Sequence, residues 1–219
     1  MHFATIMCLS EMAMQPYVTS STERLFTPAE AAAICGLKPF DVQNAIDRRI
    51  VAAVRRGRGD HAGDAGPRSG GLFVNAEGLV WLQIWRSIGE TLSLAHRQSL
   101  WAALSEAPLA RWVRITDLLI LDVEAARNQV TARMAELAAA EVVIARGEGD
   151  VAGEFVFKDT QILVYPTVAR IKSGAAAEDI LEGEPRLTRE VLDLGLLWAT
   201  AHPRRGRPTL LSRKAQRNQ

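Results

Sequence analysis

The residue types that could do covalent or metal chemistry are few and scattered. The four histidines, His2, His61, His96 and His202, show no metal-ligand spacing. Cys8 and Cys35 have no histidine close in sequence to activate a thiolate, and a lone pair of cysteines suggests no disulfide framework. Asp117 and Asp122 are an odd number of positions apart in strand-like sequence, so a pleated strand would point them to opposite faces. The glycine-rich run GRGDHAGDAGPRSGG lacks both the strand-to-helix frame of a dinucleotide loop and the GK[ST] step of a phosphate loop. These patterns predict no catalytic residue, no metal site and no cofactor, so a non-enzyme is expected.

The remaining chemistry is that of guanidinium groups. The net charge is only +1, so binding to a polyanion would depend on local clusters. One cluster, Arg55, Arg56, Arg58 and Arg68, lies in and beside the glycine-rich run, which also carries Asp60 and Asp64. The other is the tail beyond His202, which holds Arg204, Arg205, Arg207, Arg213, Lys214 and Arg217 and no acid. Arginines in such groups pair with phosphates or with clustered carboxylates.

The elements that would position these groups are legible. The chain has 219 residues, 48% hydrophobic and 23% charged, ordinary for globular chains and enough for one large or two small domains. Residues 1–24 read as a flexible arm, without the cationic start of a signal peptide. No apolar run approaches membrane-spanning length. In LFTPAEAAAICGL, Thr27 caps a helix, Pro28 takes its first position, Glu30 closes a capping box and Gly36 ends it. Pro39 opens a second helix, FDVQNAIDRR. Residues 50–54 and 72–74 read as strands flanking the basic loop, and Asn75 caps the helix AEGLVWLQIWRSI. A helix-turn-helix followed by strand, basic loop and strand is a winged arrangement over residues 25–88.

Residues 89–150 read as a central helical and strand segment with a possible dimerisation role. It holds a helix over 91–107, strands over 112–115 and 118–123, and an alanine-rich helix over 124–140 with Ala126, Val130, Met134 and Leu137 on one stripe. Residues 151–203 contain three short helices. The last, REVLDLGLLWATA, is apolar almost all round, as a helix buried in a core or an interface is, and the unit is assigned to self-association or partner binding, with plain core packing as the alternative. Residues 204–219 read as a basic disordered tail. The five tryptophans need no cofactor, and Trp81 and Trp85 are expected in a helix core. The fold class is therefore α+β, mainly α.

Two segments carry family resemblances. Residues 25–88 resemble the MerR-type winged helix-turn-helix, through FTPAEAAAICGL, PFDVQNAIDRRIV and the wing. The last third is similar to a small helical domain of formerly unknown function that recurs in VapB-type antitoxins encoded beside PIN-like ribonuclease toxins. Gly153, Val156, Phe157, Thr160, Ile162 and Val164 match its opening pattern GG-x-P-V-F-x-G-T-R-I-P-V. Gly174, Glu178, Ile180, Leu181, Pro185, Leu187 and Thr188 match the rest. Asp159, Gln161 and Leu163 depart from it, where the family has Gly, Arg and Pro.

The resemblances imply a cytoplasmic type II antitoxin that neutralises a PIN-like, Mg-dependent ribonuclease and represses its own operon as a homodimer. Lys38, Gln43, Asn44, Arg48, Arg55, Arg56 and Arg58 are the expected contacts to operator DNA. Arg204, Arg205 and Arg207 are expected to reach the toxin's carboxylate cluster. The alternative is a MerR-like, ligand-sensing transcription regulator without a toxin. That reading needs a pocket or a cysteine metal cluster, and neither is legible in the sequence.

Overall fold

The computed structural model describes residues 24–55, 71–89, 91–107 and 109–204. The expectations for the arm before Arg24, for Arg56, Arg58 and Arg68 of the basic loop, and for Arg205, Arg207 and the rest of the tail lie outside the described residues. Among the described residues the chain is α+β and mainly helical, with eight α-helices and three two-stranded antiparallel sheets.

The first helix, α1 (Pro28–Cys35), forms as its sequence dictates. The Thr27 hydroxyl accepts from the Glu30 amide, the Glu30 carboxylate accepts from the Thr27 amide, and Gly36 adopts the left-handed conformation at φ 63°. A turn of three residues leads to α2 (Pro39–Asp47), whose first position is again a proline. The strands around the basic loop shrink to β1 (Val54–Arg55) and β2 (Leu72–Phe73), paired Val54 to Phe73 and Arg55 to Leu72. Residues 50–53, expected in the first strand, instead carry the chain away from α2, with Val51 buried in the core. Phe26 and Val74 exchange both backbone hydrogen bonds, tying the start of α1 to the end of β2.

Asn75 caps α3 (Ala76–Ile84), and a π-helical turn (Trp85–Gly89) follows. Helix α4 (Leu94–Glu106) precedes the hairpin β3 (Trp112–Arg114) and β4 (Ile120–Asp122). The longest helix, α5 (Val123–Val142), is about 30 Å long. Its buried stripe, Ala126, Val130, Leu137 and Ala140, agrees with the expected periodicity.

The last third opens with β5 (Ile144–Arg146) paired to β6 (Phe155–Phe157). Three helices follow: α6 (Val164–Lys172), α7 (Ala177–Gly183) and α8 (Arg189–Ala201). Between β6 and α6 the chain turns at Asp159, which adopts φ 59° where the resembled family has glycine. Aspartate tolerates this region better than most residues. The Thr160 hydroxyl donates to the Phe157 carbonyl and accepts from the Ile162 amide, closing the turn without the family's arginine or proline.

Helix α5 runs through all three hydrophobic clusters. Val130 and Leu137 join Phe26, Ile34, Val42 and Leu79. Ala126 joins Leu100, Leu104 and Val113, and Ala140 joins Phe157, Ile180 and Leu192. The apolar circumference of α8 is met within the chain. Leu192, Trp198 and Ala199 pack into the last cluster, Ala201 packs into the first, and Leu197 lies between the two. Helix α8, expected in self-association or partner binding, is instead core, because α1, α5, β6 and α6 of the same chain cover its apolar faces. No helix among the described residues is long and apolar enough to cross a membrane.

Candidate functional site

Helix α2 presents a continuous outward stripe of Phe40, Gln43, Asn44, Asp47 and Arg48, spaced i, i+3, i+4, i+7 and i+8. Lys38, Asp47 and Arg48 are exposed, and Gln43 and Asn44 are half-buried. Val42, Ala45 and Ile46 hold the opposite face in the core. Gln43 Nε2 donates to Asp47 Oδ1 at 3.0 Å, so one of its donors is occupied within the helix. Arg55 is exposed on β1, at the base of the basic loop. The sequence reading missed Phe40, which is 72% exposed at the start of this stripe. An exposed phenyl ring there could meet an apolar surface such as a thymine methyl.

Arg204 does not begin a free tail. Its guanidinium pairs with Glu154 and lies over the Tyr165 ring, 4.8 Å from the centroid. The Tyr165 hydroxyl donates to the carbonyl of His202. These partners come from the β5–β6 connection and α6, elements whose approach to residue 204 no local pattern announces.

His202, isolated in sequence, is brought beside two carboxylates. Its Nε2 lies 3.6 Å from Glu30 Oε1, and Arg24 bridges Glu30 at 3.5 Å and Glu141 at 2.5 Å. Ligand atoms of Glu30, Glu141 and His202 fall within 4.8 Å of one another, a set able to hold a cation, but Arg24 already supplies positive charge there. Burial opposes ionisation of both His202 and Glu30. For His202 it is outweighed by the Glu30 carboxylate, the Trp198 carbonyl and Glu141, so the imidazole titrates above its ordinary value. For Glu30 it is outweighed by His202 and the Thr27 bonds, so the carboxyl titrates below its ordinary value. Asp117 and Asp122, weighed as a metal pair, have separate places. Asp117 is exposed in the turn, and Asp122 caps α5 by accepting from the Ala125 amide.

Trp81 and Trp85 are not packed fully into a helix core. They are half-buried and line a cavity of about 400 Å³ between the end of α2, the π-helical turn and α4. The Trp81 and Trp101 rings lie 4.5 Å apart, and the Arg97 guanidinium sits 5.0 Å from the Trp85 ring centre. Arg97 also donates to the Leu92 carbonyl at 2.9 Å. No local pattern announces this cavity, because its walls come from the end of α2, α3, the π-helical turn and α4.

A further surface is apolar. On and beside the β3–β4 hairpin, Leu109, Trp112, Leu118, Leu119 and Ile120 are exposed, while Val113 and Ile115 point inward. Exposed apolar groupings of this kind on open-edged strands mark surfaces suited to association.

The chain is similar to "Uncharacterized protein y4eO" of Sinorhizobium fredii, 27% identical over 204 residues that cover 89% of this chain and 88% of that protein. No family model and no solved structure matches the chain.

Proposed function

We propose that this chain is the antitoxin of a type II toxin–antitoxin system, acting in the cytoplasm without catalysis of its own. It binds and neutralises a PIN-like ribonuclease and represses its operon by binding operator DNA as a homodimer. The carrying observation is the outward polar stripe of α2, held by a capped α1 across a tight turn and flanked by the β1–β2 pair. That is the order a winged helix-turn-helix needs to set a helix into the major groove. Asp159 in the left-handed conformation supports the resemblance of the last third to the antitoxin-associated domain. One short helix contacts too little DNA alone, so binding requires a dimer. The exposed apolar residues on and beside the β3–β4 hairpin offer a face for the second copy.

The test is co-expression with the product of the neighbouring reading frame, followed by mass measurement of the complex and a ribonuclease assay. The expected result is a stable complex whose nuclease is silent until this chain is removed. Reproducible RNA cleavage by the pure chain, abolished by one point substitution in it, would overturn the reading.

A second reading, a MerR-like ligand-sensing regulator without a toxin, is favoured by the tryptophan-lined cavity at the end of α2. The same co-expression separates the two, since a sensor forms no inhibitory complex with its neighbour.

A further inference from the structure

We infer that the cavity between α2, the π-helical turn and α4 binds a small organic anion with a flat aromatic body and one carboxylate. Its volume of about 400 Å³ is in the range of small-molecule sites. Three indoles, Trp81, Trp85 and Trp101, form much of the apolar wall, and Arg48, Arg49 and Arg97 supply its charge. Among the described residues no acidic side chain lines it. A carboxylate can take a bidentate guanidinium pair from these arginines, which a neutral ligand of the same shape cannot.

Arg49 gives the second, independent observation. Helix α2 ends with the Arg49 amide on the Ile46 carbonyl and the Ile50 amide on the Ala45 carbonyl. This is the terminal motif in which glycine ordinarily takes the left-handed position. Here that position is arginine, at φ 56°. Glycine would relieve the strain, so the local fold does not account for a charged side chain at this point. Arg48 and Arg49 are exposed and hold no ion pair among the described residues. Arg48 belongs both to the outward stripe of α2 and to the cavity wall, so an occupant would sit against a residue assigned to DNA.

Calorimetry on the full chain alone, with 2-naphthoate and its neutral amide as probes, tests this without DNA or toxin. Its failure is therefore distinguishable from failure of the antitoxin reading. The expected result is naphthoate binding at least tenfold tighter than the amide, weakening as salt rises. Arg49→Asn keeps a residue that tolerates the left-handed conformation and removes the charge; it should weaken naphthoate at least fivefold with an unchanged melting temperature. Arg49→Gly should melt higher than the parent and bind as poorly as Arg49→Asn. Trp101→Leu should weaken both probes. Equal affinity for acid and amide, no heat with either probe at millimolar concentration, or full naphthoate affinity in folded Arg49→Asn would each overturn the assignment.

Discussion

The imidazole of His202 sits 3.6 Å from the carboxylate of Glu30, so the end of α8 is fastened to the residue that closes the capping box of α1. This link makes stability depend on pH with a definite sign. His202 titrates above its ordinary 6.5, so its contribution is complete below about that pH and fades as pH rises through the folded-state value. Glu30 titrates below its ordinary 4.5, so its contribution is complete above about that pH and fades as pH falls through its folded-state value. The pair should therefore stabilise most between those two limits. Thermal melts of the parent and of His202→Ala should differ most between about pH 4.5 and 6.5, and the gap should narrow as pH rises above that range. A gap that stays the same from acid to alkaline pH would show that the imidazole acts by packing on Trp198, its stacking partner, and not by charge.

Gly195 tests whether α8 is truly core. An ideal Cβ at this position would lie 2.4 Å from the Phe157 ring. Alanine favours a helix over glycine by about 1 kcal/mol, but overpacking a buried contact costs typically 1–3 kcal/mol. The clash should win, and Gly195→Ala should lower the denaturation midpoint. A raised midpoint would mean that the β6–α8 contact is loose.

Cys35 should be chemically silent in the folded chain. Its thiol is buried, donates to the Leu79 carbonyl at 3.4 Å, and is pushed up to about 12 by burial despite nearby Arg86. Iodoacetamide at pH 8, followed by peptide mapping, should leave Cys35 unmodified in the native protein and label it in denaturant. Rapid native labelling would place this part of the core in exchange with an open form.

The parts of the fold that were legible in the sequence are those encoded within a few residues. Thr27, Pro28, Glu30 and Gly36 specify α1 locally, and the stripe of α5 repeats with the helical period. What was not legible depends on long-range docking. The packing of α8 on α1 brings His202 to Glu30, and the approach of the β5–β6 connection brings Glu154 to Arg204. The cavity is of the same kind, since Trp81 and Trp101 lie on different helices and meet only after folding. Ile50, Val51 and Val54 are β-branched, which favours a strand over residues 50–54 locally. Tertiary context used Val51 as a core residue and left only Val54–Arg55 in the pair.

Asp47 is the least favourable residue on the proposed DNA face. It is exposed, carries negative charge toward where phosphate would lie, and occupies a donor of Gln43. Asp47→Asn should tighten binding to operator fragments severalfold, while Gln43→Ala should weaken it and relax sequence preference. Arg55→Ala should lower the slope of log affinity against log salt by about 1. Fluorescence anisotropy across a salt series reads all three variants. If none moves affinity or slope, α2 and β1 are not the DNA face.

Arg204 decides how the tail would act on a toxin. Its present partners hold it weakly. A solvent-exposed ion pair is worth about 0.2–1 kcal/mol, and an exposed cation–π contact about 0.5–1 kcal/mol. A PIN-like active site gathers carboxylates to hold Mg²⁺, and a guanidinium entering it could pair bidentately and compete with the metal. Exchange of Glu154 and Tyr165 for such a site would therefore be favourable. Truncation after His202 should reduce toxin inhibition by an order of magnitude or more while operator binding by the chain without toxin barely changes. Arg204→Ala should reproduce part of that loss with little effect on melting, and Arg204→Lys should rescue it poorly. Glu154→Ala releases Arg204 without removing it, so inhibition should hold or improve. If Glu154→Ala instead abolishes inhibition, the folded contact is what the toxin recognises. If truncation removes DNA binding and leaves inhibition intact, the tail serves the operator.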